Sequence, residues 1–332
     1  MIALVGYTGF VGSNIYAAAD RQIQAVYNSK NIEGAYGTRP ELLIYAGLRA
    51  EKYLADHAPE EDMDRIRQAE ENIERIAPEE LVLISTIDVF KTPKDVDEHS
   101  PIHTDGLHAY GYDRYQLELW VRERYPDALI IRLPGLFGQG IKKNFIYDLI
   151  HVIPSMLKAE KLEELAAKDG EIERYYKLQT NGFYKVDVAD ADRRTLKERF
   201  RRLGFSALNF TDSRSVYQFY NLAHLWQDIQ TALGAGITLW HPATEPVSAG
   251  EVYTYLTGGT FINTLSGSPA DYGYRTVHAE LFGGSDGYIA DRATVLAEIE
   301  GFVRGYMEDK DIGDSSDIGR LWAREPDGMV SG

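Results

Sequence analysis

Met1-Ile2-Ala3-Leu4-Val5-Gly6-Tyr7-Thr8-Gly9-Phe10-Val11-Gly12 opens the chain, an unbroken apolar run that ends in glycines spaced three apart. An apolar run of this length bounded by glycine reads as a buried strand of a parallel sheet. A tight turn at Gly6, close backbone approach at Gly9 and helix–strand packing at Gly12 leave a helix N-terminus facing outward. Such an end, with its free N–H groups and positive dipole, suits a pyrophosphate. Gly6, Thr8, Gly9, Phe10, Val11 and Gly12 are therefore the expected dinucleotide-binding turn.

Outward from this turn, strands and helices alternate. Gln24–Tyr27, Leu42–Tyr45, Leu81–Ser85 and Leu129–Leu133 read as strands. The first helix is expected to bury Val11, Ile15 and Ala18. Pro59–Ile76 carries Met63, Ile66, Ile73 and Ile76 at helical spacing, and a further helix covers about Tyr112–Arg124. Repeated βα units predict an α/β fold, a Rossmann-like doubly wound parallel sheet with a smaller C-terminal α/β substrate domain. The texture changes after Asn144. The division expected is 1–150 for the dinucleotide-binding domain, with 208–235 returning to it, 151–207 and 236–310 for the substrate domain, and 311–332 as a tail. Ser248 is expected to cap a helix over Ala249–Leu256.

The chain has 332 residues, with 51 acidic against 35 basic side chains and a formal charge of −16. That balance argues against a general nucleic-acid or anionic-membrane surface, so a phosphate-bearing ligand needs a local positive cluster. There is no cysteine, which excludes disulfides, thiol nucleophiles and thiolate-held metals. The histidines show no metal-ligand spacing, so no metal is expected. With no transmembrane-length apolar run and no leader pattern, a cytoplasmic, soluble protein is expected.

A second signal lies where the fourth strand ends, at Ser85-Thr86, and at the start of the following helix, Tyr110-Gly111-Tyr112-Asp113-Arg114. Tyr110 and Arg114 are one helical turn apart and share a face. Hydride transfer at a carbinol or carbonyl needs a proton exchanger, a cation to lower its pKa and a hydroxyl to fix the reacting oxygen. Tyr110, Arg114 and Thr86 match those tasks. The Tyr217–Trp226 aromatics are better explained by core packing than by base stacking.

Together these segments resemble the extended short-chain dehydrogenase/reductase family (NAD-dependent epimerases and dehydratases). The resemblance rests on Gly6-x-x-Gly9-x-x-Gly12, Ile84-Ser85-Thr86-Ile87-Asp88-Val89-Phe90, Tyr110-x-x-x-Arg114, Ile131-Arg132-Leu133-Pro134-Gly135-Leu136-Phe137-Gly138 and Glu245-Pro246-Val247-Ser248. It implies an NAD(P)-dependent oxidoreductase or epimerase acting on a nucleotide-linked sugar or similar polyol derivative. Thr86 would polarise the reacting oxygen, Tyr110 would be the acid/base, and Pro134 would lie beside the nicotinamide. The chain departs from the family in having Arg114 where the family has Lys, and Gly135 where many relatives carry Asn. One carboxylate, Asp88, follows Thr86 where C5–C6 dehydratases have an Asp-Glu pair, which ranks that dehydration below reduction or epimerisation. Asp88 is a candidate acid or substrate contact.

An NAD site offers a carboxylate about twenty residues beyond the glycines. Here Asn28, Ser29 and Lys30 stand there, and with Arg49 they favour NADP over NAD. Ala46, Gly47, Ser85, Tyr110, Arg114 and Pro134 complete the expected cofactor contacts. Lys142, Lys143 and Asn144 form a positive patch suited to a nucleotide diphosphate, and Arg275, expected in the smaller domain, could meet a phosphate. With Thr86 and Asp88 these are the expected substrate contacts. Helices Pro59–Ile76 and Tyr112–Arg124 would permit a homodimer. The competing reading is a catalytically weak or inactive nucleotide-binding structural or regulatory protein of the same fold.

Overall fold

The computed structural model describes residues 1–50 and 52–309, so the expected tail at 311–332 lies outside the described residues. In chain order the elements are β1 (Ile2–Val5), α1 (Phe10–Ala18), β2 (Ala25–Tyr27), β3 (Leu42–Tyr45), α2 (Lys52–His57), α3 (Pro59–Ile76), β4 (Glu80–Thr86), α4 (Ala109–Arg124), β5 (Leu129–Leu133) and β6 (Gly135–Phe137). They continue with α5 (Phe145–His151), β7 (Met156–Leu157), α6 (Ala159–Lys168), β8 (Tyr176–Leu178), β9 (Tyr184–Val186), α7 (Asp190–Arg202), β10 (Val216–Tyr217), β11 (Phe219–Asn221), α8 (Leu225–Gly234), β12 (Leu239–Trp240), α9 (Ala249–Thr257) and α10 (Arg292–Asp309).

The chain forms two compact units: Met1–Ile141, Val216–Val247 and Asp271–Glu298 make the first, and Lys142–Ser215, Ser248–Ala270 and the described residues from Ile299 onward make the second. The first is built on a six-stranded sheet in the order β12-β5-β4-β3-β1-β2, with every pairing parallel. Alternate residues of each strand feed two cores. Ala3 and Val5 join Leu43, Ile66, Ile73, Leu117 and Val121 under α3 and α4. Leu4 joins Ile15, Ile44, Ile131, Trp226 and Ile229 under α1 and α8. A sheet buried on both faces is why its strands read as continuous apolar runs. The strand order reverses between β1 and β3, where an open α/β sheet leaves a crevice at its carboxyl edge.

The glycine turn forms as the spacing predicts. Gly6 has φ +94°, and a Cβ there would sit 2.3 Å from the Ala46 carbonyl oxygen. A Cβ on Gly12 would sit 2.2 Å from the Gly6 carbonyl oxygen, so α1 can approach β1 only with glycine at this position. Ala19, rather than Ala18, completes the buried face of α1; Ala19 is fully buried and Ala18 exposed.

The boundaries differ from those expected. Residues 236–247 and 271–298, assigned above to the smaller domain, lie in the first unit: Leu239 and Trp240 pair with Ile130 and Ile131 of β5, and Trp240 is fully buried. The stretch Lys142–Ser215 leaves the first unit nine residues before the expected break. In the second unit an antiparallel sheet of order β7-β9-β8 packs with α6 and α7 around Leu157, Leu162, Leu165, Leu196 and Phe200. Ser248 caps α9 in a reciprocal box with Glu251.

Candidate active site

Thr86 is the last residue of β4, and its side chain accepts a hydrogen bond from the Asp88 backbone N–H at 3.2 Å, turning the chain into a single 3-10 turn, Ile87–Val89. Ile87, Val89 and Phe90 pack beneath that turn with Ala243 and Tyr274. The helix α4 starts at Ala109 with His108 as its cap, the ring Nδ1 accepting from the Gly111 N–H at 3.0 Å. Helix and turn meet closely because residue 111 is glycine: a Cβ there would lie 2.1 Å from the Asp88 carbonyl oxygen. This approach brings Tyr110 beside Thr86, whose side chain favours the ionised phenol. Gly111 was not singled out from the sequence, although a glycine inside a helix is itself a flag for close packing.

Tyr110 is 6 % exposed and Arg114 3 %. The guanidinium lies 4.5 Å from the centre of the Tyr110 ring, as the one-turn spacing requires. Its donors are directed elsewhere: Nη1 to Asp62 at 2.7 Å, and Nη2 to the Arg49 carbonyl oxygen at 2.7 Å and to Asp62 at 3.4 Å. Asp62 is fully buried on α3. The guanidinium is therefore half of a buried ion pair. The phenol pKa accordingly moves opposite to the direction expected from Arg114 alone. Burial raises it above the ordinary value and Asp88 and Asp62 raise it further, against the lowering effects of Arg114 and Thr86. Neighbouring Asp113 is pushed up to about 6 by burial and by Asp62.

Asp88 is held by two groups absent from the sequence-derived set. Lys52, at the start of α2, forms an ion pair with it, and the Tyr272 hydroxyl donates to it at 3.1 Å. The Lys52 ammonium also lies 5.9 Å from the centre of the Tyr110 ring. Tyr272 arrives because its segment is fixed from both sides. Gly273 and Arg275 bond to Pro93 and Val96, and buried Gln218 donates to the Tyr274 carbonyl at 2.9 Å and accepts from its N–H at 3.0 Å. No local pattern marks Lys52 or Tyr272, since each reaches Asp88 through the tertiary fold.

Among the expected cofactor residues, Gly6 follows β1 and Ala46-Gly47 follow β3, at the same carboxyl edge as the expected catalytic Thr86, which ends β4. Gly6 donates to the Tyr27 carbonyl at 2.8 Å, which ties the glycine turn to β2. Thr8 and Gly9 are exposed, Phe10 and Val11 half-buried, and a Cβ on Gly9 would meet only the Gly6 carbonyl oxygen, at 3.2 Å. At the end of β2 the Asn28 side chain accepts from the Lys30 N–H at 2.9 Å, folding a turn that leaves Ser29 and Lys30 exposed. Arg49 is exposed and Pro134 half-buried. Ser85 departs from its expected role: strand alternation turns it to the opposite face from Thr86, where it donates to buried Glu118 at 2.6 Å. Glu118 is also clamped by buried Arg132 at 2.6 Å.

In the second unit, Lys142 and Lys143 are exposed and Asn144 caps α5, its side chain accepting from the Tyr147 N–H at 3.1 Å. Arg275 is in the first unit, not in the smaller one, and its guanidinium donates to the Asp286 carbonyl and stacks 5.0 Å from the Tyr288 ring centre. Among the described residues no cluster of three or more metal-ligating acidic or histidine side chains occurs, and no helix is long and apolar enough to cross a membrane.

No protein-family model matches the chain, and no curated protein sequence does. Solved structures share its fold. A dTDP-4-dehydrorhamnose reductase from Yersinia enterocolitica is similar over 91 % of this chain and 98 % of its own, with TM-score 0.60 and 13 % identity. A UDP-galactose 4-epimerase is similar over 93 % of this chain and 99 % of its own, with TM-score 0.60 and 12 % identity. The Bacillus anthracis dTDP-4-dehydrorhamnose reductase in complex with NADP covers 92 % of this chain and 98 % of its own, with TM-score 0.58 and 14 % identity.

Proposed function

We propose that the chain is an NADP-dependent reductase of a carbonyl on a nucleotide-linked sugar or similar polyol derivative. The observation that carries this reading is the buried pair of Thr86 and Tyr110 at the carboxyl edge of the sheet that also carries the β1 glycine turn. The fold it shares with nucleotide-sugar reductases and epimerases supports the substrate class. The nicotinamide, when bound, supplies the hydride. The residues fit such a cofactor: the glycine turn is open on the Gly9 side, and no carboxylate at the end of β2 stands against a 2′-phosphate. Gly6, Thr8, Gly9, Phe10, Val11 and Gly12 would hold the pyrophosphate, and Ser29, Lys30 and Arg49 the adenosine phosphate.

The chain's own part is to fix an oxygen and to give it a proton. Thr86 anchors the reacting oxygen by hydrogen bonding, and the Tyr110 hydroxyl donates to it as charge develops there. Burial raises the phenol pKa, so at neutral pH the group is protonated and carries the proton to be donated, as a weaker acid than a free phenol. Pro134 would border the nicotinamide; Lys142, Lys143 and Asn144 would meet the nucleotide diphosphate. Exposed Leu119 on α4 would let the chain pair with a second copy through α3 and α4.

The alternative, a binding protein without turnover, draws on one observation: the Arg114 guanidinium is committed to Asp62. Two measurements separate them. Titration of NADPH and NADH fluorescence reads cofactor binding, and oxidation of NADPH with nucleoside-diphosphate keto-sugars reads turnover. Binding of NADPH with substrate-dependent oxidation supports the enzyme. Binding without oxidation across such keto-sugars supports the binder. In the enzyme reading, Lys142→Ala with Lys143→Ala raises KM for nucleotide-linked substrates and leaves NADPH affinity unchanged.

A further inference from the structure

Two cations stand by Tyr110, and they are not equivalent. Arg114 is buried and satisfied by Asp62 and the Arg49 carbonyl. Lys52 has a side chain 50 % exposed, comes from a different helix and faces Asp88, whose side chain is 13 % exposed. The Asp88 backbone meets α4 at the close contact beside Gly111, next to Tyr110, and its carboxylate is also bonded by Tyr272. An unneutralised carboxylate in that position destabilises tyrosinate and makes the phenol a weaker acid. A compact ammonium on a flexible stem is suited to cancel it.

We propose that Lys52 is a positioning residue that, alongside Arg114, tunes the acidity of Tyr110 by neutralising Asp88. The groups facing the phenol are Thr86 from β4, Asp88 from the 3-10 turn, Asp62 from α3, Lys52 from α2, and Arg114 and the stacked His108 from α4 and its cap. Of the cations, Lys52 alone carries an exposed side chain, and its partner Asp88 is among the groups that oppose ionisation. The assignment rests on the reading of Tyr110 as the acid.

The test needs neither substrate nor cofactor. 3,5-Difluorotyrosine is placed at position 110, which brings the phenol into an accessible pH range, and its titration is followed by fluorine NMR. Lys52→Met is expected to raise the midpoint by about one pH unit, and Lys52→Arg to hold it near the starting value. Asp88→Asn is expected to lower it, and Lys52→Met combined with Asp88→Asn to cancel the rise. An unmoved midpoint in Lys52→Met overturns the inference, as does a rise that persists in the double variant. Circular dichroism confirms the fold of each protein. Turnover is a separate matter: a midpoint shift in a chain that reduces no keto-sugar sustains the electrostatic link and refutes the enzyme reading.

Discussion

Replacing Gly111 by alanine separates helix propensity from site geometry. An alanine inside a helix is normally favoured over glycine by about 1 kcal/mol. At Gly111 the added methyl would lie 2.1 Å from the Asp88 carbonyl oxygen and 2.9 Å from the His108 ring. Ordinary contact is about 3.5 Å, so α4 and the 3-10 turn must part by about 1 Å. Overpacking of this kind costs about 1–3 kcal/mol, which outweighs the helical gain, so Gly111→Ala is expected to be destabilising by about 1 kcal/mol. The same retreat draws Tyr110 away from Thr86, and a misplacement of about 1 Å lowers turnover on the order of 10²-fold. Gly301 in α10 is the control: a Cβ there meets nothing within 4 Å among the described residues. Gly301→Ala should therefore stabilise, by about 0.5–1 kcal/mol. Urea unfolding followed by circular dichroism reads both changes. If Gly111→Ala stabilises as much as Gly301→Ala does, the close approach of α4 to the Asp88 turn is wrong, and the account of how Tyr110 is placed goes with it.

Three further outcomes follow from the same packing. Arg114→Met leaves Asp62 buried and unpaired, and urea unfolding should show a loss of about 3–5 kcal/mol; a loss below about 1 kcal/mol contradicts the buried pair. Asp148 on α5 is raised by burial to about 7, above its unfolded value, so the folded chain holds a proton that the unfolded chain has lost. Its contribution is present at acid pH and disappears as pH rises through about 7. Thermal melts should show Asp148→Asn gaining most over the wild type at pH 8 and less at pH 5, whereas an equal effect at both values refutes the assignment. Lys30→Glu should weaken NADPH binding at least about tenfold against NADH in a fluorescence titration, since a carboxylate there repels a 2′-phosphate and accepts from a ribose diol. Parallel weakening of both would remove Lys30 from the cofactor site.

The sheet was legible because its strands, buried on both faces, spell short apolar runs, and because Gly6 and Gly12 admit no side chain at their contacts. Thr86 and Tyr110 were legible because each belongs to a local pattern at an element's end. The surroundings of Arg114 were not. Its partner Asp62 sits in the first turn of α3 beside Glu60, Glu61 and Asp64, and nothing in that acidic run marks which carboxylate turns inward. Lys52 and Tyr272 escape for the same reason, converging on Asp88 from distant segments. The position of Arg275 was misread because β12 returns the chain to the main sheet after only two paired residues, too short a run to stand out.

The most direct measurement is the rate of NADPH oxidation with a nucleoside-diphosphate keto-sugar for the native chain and for Tyr110→Phe, with NADPH affinity measured on both. The account predicts unchanged affinity and a rate reduced by about 10²–10⁴-fold, the range for loss of a proton donor. Equal rates would contradict the assignment of the proton to Tyr110, even with the fold as described.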